Sequence, residues 1–431
     1  MRKLTNRAVS VLIIAALVII GLNLYILRYI DEGREWAMAF SNLNTDSTGD
    51  LMDRNGVVLA SLDERGVHFN SDETIRVSNY HVTGDAWGRT STGLMVNYWG
   101  RLQDFSLITG STKSRTASLT LNIDSRINRA AYYALAGRKG AVLMCNYKTG
   151  ELLCMVSTPA MDPIDVNAIP EDGAFINRCL SASFTPGSVF KLITAAAVIE
   201  NIPNIDELSF YCEGEYKVAG VPIICSGEHY TQTFEQALSN SCNVAFSQLA
   251  IRLGQDKLLR YVKNLGFVDP QKLDGIPTAS GSFPTEFIGD PELGWAGIGQ
   301  STDMICPYSL LRFVCAVGNG GVLCEPKLVS DGKEPVKSRY LQESTADKLK
   351  QMMAYNAANH YQGSLNFPGL ALCAKTGTAE LGDGTSHAWF TGFLDDEEHP
   401  YAFVVFIERG GGGLSQAGPV ANSVLQTAVH G

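Results

Sequence analysis

Ser188 and Lys191 stand three residues apart in SFTPGSVFKLITAAAVIE (183–200), a spacing at which an amine can serve a hydroxyl as its base. Pro186 and Gly187 end an irregular approach. From Ser188 onward the residues are good helix formers with an apolar stripe, which predicts a buried helix with Ser188 in its first turn and Lys191 one turn along the same face. A serine hydroxyl is a poor nucleophile at neutral pH, and a lysine within hydrogen-bond reach becomes its base once burial or a neighbouring cation lowers the amine pKa. The start of the helix adds partial positive charge and free N–H groups beside any oxyanion that forms. Ser330 and Lys333 repeat the spacing in SDGK, but Gly332 and Pro335 forbid a helix there, and that copy reads as a loop.

Two further segments offer partners. Ser241-Cys242-Asn243 opens the helical pattern ALSNSCNVAFSQLAIRLG (237–254). Beside a lysine base, the hydroxyl can relay a proton and the amide can orient a peptide substrate. The same residue types also cap helices, so the spacing alone leaves both readings open. Lys-Thr-Gly occurs twice. At 148–150 it joins the apolar runs GAVLMCNY and ELLCMVS, where a polar triplet ending in glycine makes a hairpin turn. At 375–378, Lys375-Thr376-Gly377-Thr378 follows the apolar run LALCA, and HAWFTGF (387–393) and YAFVVFIER (401–409) then read as neighbouring antiparallel strands. There Lys375 offers a positive field to a substrate carboxylate, Thr376 a hydroxyl and Thr378 an N–H, while Gly377 lets another backbone approach, as a bound peptide must. SLN at 364–366 copies the form of SCN, but it precedes Lys375 so closely that, with Ser330, it would squeeze the whole constellation into a stretch lacking helical partners.

The chain that must position these residues has 431 residues, 45% hydrophobic and 18% charged, enough for one large core and an accessory module. A formal net charge of -10 without clustered Lys and Arg argues against a nucleic-acid partner. Residues 8–27, AVSVLIIAALVIIGLNLYIL, match a hydrocarbon core of ~30 Å at ~1.5 Å per residue. Arg2, Lys3 and Arg7 precede the run without an acid, which predicts residues 1–7 in the cytoplasm, a membrane-spanning helix and everything after it outside. Ala37-Met38-Ala39 would suit a signal-peptide cleavage site, but the apolar run is longer than a signal h-region and a charged stretch intervenes. Residues 28–117 read as a linker and a small β-rich module, with a turn at Asn55-Gly56 and a boundary within GSTKSRTAS (110–118). The main domain then runs 118–431, opening with the strand SLTLNID and a helix capped by Asp124. Of ten cysteines, Cys212 and Cys225 flank the hairpin-like EGEYKVAGVPII and are the candidate disulfide. No C-x-x-C or H-E-x-x-H occurs, so the pattern indicates no metal and no cofactor.

In order along the chain, SVFK, SCN and KTGT resemble the three signature motifs of penicillin-binding proteins and serine β-lactamases. DRNGVVLA, GAVLMCNYKTGELLCMVSTPAMDP, NRCLSASFTPGSVFK and GIGQSTDMICPYSLLRFVCAVGNGG are similar to the class B, monofunctional penicillin-binding transpeptidases over nearly the whole region beyond the apolar segment. The resemblance implies an α+β fold: an antiparallel sheet flanked by helices, with a small β-rich pedestal and one transmembrane helix. It implies that Ser188 attacks the penultimate D-Ala carbonyl of a peptidoglycan stem peptide with Lys191 as base, and that an amine from another stem resolves the acyl-enzyme. Ser241 and Lys375 would pass protons, Asn243 would hold the substrate amide, and Thr376 would meet the carboxylate with Gly377 beside it. The N–H groups of Ser188 and Thr378 would form the oxyanion hole, and β-lactams would acylate the serine. A 28–117 module this short leaves no room for a glycosyltransferase domain, which implies a membrane-embedded SEDS-type polymerase as partner. Thr48-Gly49 replaces the family's usual Arg-Gly. The alternatives are a D-Ala carboxypeptidase, a β-lactamase, for which Glu286 and Glu292 would be the only nearby acids, and a β-lactam sensor.

Overall fold

The computed structural model describes residues 2–35, 49–63, 66–98, 102, 105–106, 110–111, 118–165 and 167–431. Thr48, Ala37-Met38-Ala39 and most of the expected boundary at 110–118 lie outside them. Helix α1 (Arg2–Glu35) contains the apolar stretch Val9–Leu27, with mean hydropathy 2.7 and no residue buried against the rest of the chain. This helix is long and apolar enough to cross a membrane. Within that stretch Asn23 is satisfied by the helix itself, its Nδ2 donating to Ile19 O at 2.8 Å.

Strands β1 (Gly49–Met52), β2 (Val58–Asp63) and β3 (Gly66–Phe69) form a small antiparallel sheet, and β4 (Leu119–Thr120) joins it in parallel beside β1, pairing Leu51 with Leu119. The turn at Asn55-Gly56 connects β1 and β2, as its residues predict. Asp53 is the hub of that turn: fully buried, it accepts from the N–H groups of Asn55 and Val57 through Oδ1 and from Ser125 Oγ (2.6 Å) and Ser125 N (3.1 Å) through Oδ2. A second tie comes from helix α2 (Glu73–Ser78), whose Arg76 grips Asp162 with two parallel hydrogen bonds of 2.8 and 2.6 Å.

Helix α3 (Ser125–Leu135), capped by Asp124, precedes strands β5 (Gly140–Asn146) and β6 (Leu152–Thr158). Lys148-Thr149-Gly150 is their turn. Asn146 Oδ1 takes the N–H groups of Lys148 and Thr149, Gly150 has φ +75°, and Lys148 is exposed. Next come helix α4 (Lys191–Asn201), the long hairpin β7 (Ser209–Val218) and β8 (Val221–Thr233), and helices α5 (Asn243–Leu253), α6 (Pro307–Gly318) and α7 (Glu343–Asn359). Strands β9 (Leu372–Glu380), β10 (Ser386–Leu394) and β11 (Tyr401–Ile407) complete the sheet, and helix α8 (Gly418–His430) closes the chain.

The main sheet has the order β9-β10-β11-β5-β6 and is antiparallel throughout. Its strands read as continuous apolar runs because helices cover both faces. Alternation divides them: Val142, Met144, Phe403 and Val405 pack with α3 and α8, while Ala141, Leu143, Val404 and Phe406 pack with α4 and α6. On β9 the same alternation sends Lys375 and Gly377 to the α4 side, with Cys373. Because β9 is the outer strand, its far edge is open to other partners.

The hairpin reading of the segment around EGEYKVAGVPII holds, with Ala219-Gly220 at the turn. The disulfide does not form: all ten cysteines are free thiols. Cys212 pairs across the hairpin with Tyr230, and register shifts between Ile224 and Tyr230 turn Cys225 away toward α5. Asp162→Ala would leave the buried Arg76 guanidinium without its carboxylate partner. We expect a loss of about 3 kcal/mol in unfolding free energy, measured by chemical denaturation.

Candidate active site

The nucleophile segment differs from expectation in one detail that improves its geometry. Gly187–Phe190 forms a 3₁₀ turn, and the α-helix proper starts at Lys191. In a 3₁₀ turn side chains three apart eclipse, whereas in an α-helix they are offset, so Ser188 and Lys191 lie over one another with Nζ and Oγ 3.1 Å apart. Gly187 makes the turn possible. Its φ is +55°, and a Cβ there would lie 2.7 Å from the Thr378 carbonyl oxygen. Gly377 faces the same junction from β9, where a Cβ would sit 3.0 Å from both Pro186 O and Val189 Cγ1. The backbone that packs against Gly377 is the turn that carries Ser188.

Ser241 and Asn243 are not caps. Cys242 is the N-cap of α5, its Sγ accepting from Ala245 N at 3.4 Å. Ser241 sits before it at φ +52°, a left-handed conformation that swings its side chain toward the lysines. Lys191 Nζ lies 2.7 Å from Asn243 Oδ1 and 3.2 Å from Ser241 Oγ, and also bonds the Ser241 carbonyl. Lys375 Nζ reaches the same Ser241 Oγ at 3.0 Å from the opposite side, with Thr376 O at 2.9 Å. One hydroxyl thus bridges two amines. Asn243 is steadied in turn by its Nδ2 donating to Ile224 O on β8 at 2.7 Å.

Both lysines are completely buried, and the partners their amines make here are hydroxyls, an amide oxygen and carbonyls, with no carboxylate among them. Burial pushes Lys191 down to about 8. Lys375 is driven well below its ordinary value, by burial first and then by the charge of Lys191. Two ammonium ions sharing one hydroxyl in a dry site repel, so the arrangement favours one neutral amine. Lys375 is the amine that loses its charge first, and Lys191 becomes available as a base as pH rises toward about 8.

These groups open onto a cleft of about 550 Å³ lined by Ser188, Ser241, Asn243, Thr376 and Thr378, with Ile224, Cys225 and Ser226 of β8 on one wall and Trp295, Ile298 and Gln300 on another. The open edge of β9 forms its floor. Thr378 O faces Gly187, and in an antiparallel strand the N–H and C=O of one residue point to the same edge. The Thr378 N–H is therefore presented beside the Ser188 turn. Ser330 and Lys333 lie in a loop, and Ser364–Asn366 belong to a short helical turn in which Asn366 bonds back to Tyr361 O. Glu286 is exposed and Glu292 is occupied by Ile288 N, and neither lines the cleft.

Three features were missed in the sequence. Glu380 ends β9 at the cleft mouth. Tyr361 is buried beneath Thr376, its hydroxyl 2.8 Å from Thr376 N and 2.9 Å from Thr376 Oγ1. No motif marks it, because its role depends on α7 lying alongside the open edge of β9. The third is a group of four side chains, Cys212, Cys225, His229 and Cys242, whose ligand-type atoms all lie within 4.8 Å of one another. No short motif joins them, since they come from two strands of a hairpin and a helix start.

Compared with known proteins, residues 140–426 match the family described as "Penicillin binding protein transpeptidase domain". Among curated relatives, stage V sporulation protein D of Bacillus subtilis is 30% identical over 304 residues, covering 65% of this chain and 47% of the relative, so the chain spans about half of that protein's length. Peptidoglycan D,D-transpeptidase PbpA of Mycobacterium tuberculosis is 29% identical over 383 residues, covering 77% of this chain and 76% of the relative. A solved acyl-enzyme complex of penicillin-binding protein A from M. tuberculosis superposes with a TM-score of 0.74 at 24% identity, covering 90% of this chain and 99% of that one. At that identity the likeness concerns the fold.

Tyr361→Phe would strip the buried Thr376 N–H of its acceptor. The expected cost is about 1–3 kcal/mol of stability, read by chemical denaturation, with the fold retained in circular dichroism.

Proposed function

We propose that this chain, which belongs to the penicillin-binding protein transpeptidase family, is a serine D,D-transpeptidase that cross-links peptidoglycan stem peptides. The observation that carries the reading is the convergence of Ser188, Lys191, Ser241 and Lys375 on one cleft, through contacts of 3.0 to 3.2 Å. The donor peptide lies along the open edge of β9, where an extended chain can pair with strand groups. Neutral Lys191 takes the proton of Ser188 Oγ as that oxygen bonds to the penultimate D-Ala carbonyl carbon. The resulting oxyanion rests between the N–H groups of Ser188 and Thr378. As the tetrahedral intermediate collapses, the C–N bond breaks and the leaving D-Ala nitrogen receives a proton through Ser241 Oγ, which bridges Lys191 and Lys375. An acceptor amine then adds to the acyl-enzyme, gives its proton back along the same route and expels Ser188. Asn243 holds the donor amide, and Lys375 with Thr376 receives the terminal carboxylate. A β-lactam follows the first half of this path and stays attached to Ser188.

The apolar stretch of α1 is the membrane anchor, with Arg2, Lys3 and Arg7 on the cytoplasmic side and the catalytic domain outside. The glycan strands come from a SEDS-type polymerase in the same membrane. Within the chain, residues 28–117 act as the pedestal and 118–431 as the catalytic domain. The Asp53–Ser125 and Arg76–Asp162 contacts support a fixed relation between the two.

The test uses the full chain in detergent with fluorescent penicillin and, separately, polymerised lipid II. The wild type should form a long-lived adduct and cross-linked product, and Ser188→Ala should form no adduct and lose cross-linking by about 10⁶-fold. An adduct shed within seconds would identify a β-lactamase. Release of D-Ala without cross-links would identify a carboxypeptidase. Because the working form of Lys191 is the neutral amine, whose share grows as pH rises to and past its pKa, the acylation rate should climb toward about pH 8 and level off above it. A rate flat from pH 6 to about 9 would remove Lys191 as base.

A further inference from the structure

We infer that Cys212, Cys225, His229 and Cys242 form a zinc site, built from the β7–β8 hairpin and the start of α5, that clamps one wall of the catalytic cleft. Three thiols and one imidazole are a common structural zinc set, and tetrahedral zinc is redox-inert and favours sulfur and nitrogen ligands. The spacing of the atoms agrees with one ion between them. Zn–S bonds of about 2.3 Å and a Zn–N bond of about 2.0 Å arranged tetrahedrally put sulfurs about 3.8 Å apart and sulfur and nitrogen about 3.5 Å apart. Here Cys225 Sγ lies 3.8 Å from Cys242 Sγ and 3.5 Å from His229 Nδ1, and all four atoms fall within 4.8 Å of one another. Sulfurs 3.8 Å apart are far from the ~2.05 Å of a disulfide.

The surroundings suit bound thiolates. Backbone N–H groups point at the two sulfurs nearest the cleft, from Asn243 to Cys225 Sγ at 3.2 Å and from Ala245 to Cys242 Sγ at 3.4 Å, the kind of outer contact that orients ligands and spreads their charge. Cys212 and Cys242 are buried, while Cys225 and His229 are half-exposed, which leaves an entry path. Cys212 Sγ sits 3.6 Å from Gly227 O, a contact its thiol proton makes and binding would release. Zinc binding displaces three thiol protons to solvent, and no electron changes hands.

The consequence is mechanical. β7 and β8 form a two-stranded sheet that shares no strand with the main sheet. Yet β8 supplies Ile224, whose carbonyl holds Asn243, and Cys225 and Ser226, which line the cleft. Cys242 lies between Ser241 and Asn243. An ion joining the hairpin to Cys242 therefore fixes both walls of the proton-relay corner at once, and its ligands are positioning residues.

Full-length protein purified in detergent with a non-thiol reductant should carry about one equivalent of zinc by mass spectrometric metal analysis. Cobalt(II) substituted into the site should give the intense visible bands of a tetrahedral thiolate complex. Cys212→Ser and His229→Ala, both away from the reacting atoms, should lose most of the metal and acylate with penicillin about tenfold more slowly, while Cys154→Ala, outside the cluster, should keep its zinc. Chelation of the wild type followed by zinc should lower and then restore acylation, which separates the clamp from a folding defect in any variant. Metal content is read whether or not the chain is a transpeptidase. Wild-type protein that acylates normally with no zinc and takes up none at micromolar concentration would overturn the inference. So would a Cys225–Cys242 disulfide found by peptide mass spectrometry in protein prepared without reductant and loaded with zinc.

Discussion

Two lysine amines buried around a single serine hydroxyl are the constraint on which the rest of the structure depends. Removing an ammonium group from water is expensive unless it is paired or loses its charge, and here the partners are neutral oxygens. The cost has to be met by the surrounding fold. α4 is buried from Lys191 to Val198, β9 is pinned between β10 and Tyr361, and α5 is held at its start by a cysteine cap and by β8. Each of these elements approaches the site with its backbone as much as its side chains, as the close contact between Gly187 and the Thr378 carbonyl illustrates. The result is an amine whose neutral form is brought within reach of physiological pH, adjacent to a hydroxyl it can activate.

The same constraint explains why the cleft is assembled from distant segments. A single helix can place a serine and a lysine in register, but it cannot desolvate the lysine by itself. That takes a second helix laid across it and a strand edge beside it. The five-stranded sheet supplies the edge because β9 is its outermost strand, and the division of its residues between two cores keeps it rigid. Lys375 reaches Ser241 because alternation along β9 sends it to the α4 face. Thr376, one residue on, goes the other way to Tyr361.

The wall formed by β8 is built differently from the rest of this frame. It belongs to a hairpin outside the main sheet, and it touches the reacting groups through Asn243 and Cys225. A metal clamp at that hairpin would supply the rigidity that packing provides elsewhere.

How much of this was legible beforehand differs from residue to residue. Lys148-Thr149-Gly150 could be recognised as a turn because the flanking apolar runs and the glycine are local signals, and Lys375-Thr376-Gly377-Thr378 could be separated from it on the same grounds. The apolar stretch in α1, the Asn55-Gly56 turn and the antiparallel β10 and β11 were also local, being set by hydrophobic period and turn chemistry. Ser188 and Lys191 were legible as a pair, although the 3₁₀ turn that eclipses them was not, since it follows from Gly187 pressing on β9. Whether Ser241 and Asn243 were caps or reactants could not be decided along the chain. Tertiary structure gives the cap to Cys242 and brings Lys375 across 134 residues to the Ser241 hydroxyl. The four-residue Cys/His cluster and the absent Cys212–Cys225 bond have the same origin. Residue types and short spacings are written in the chain, whereas strand register and the crossing of a hairpin over a helix start depend on how the whole core packs.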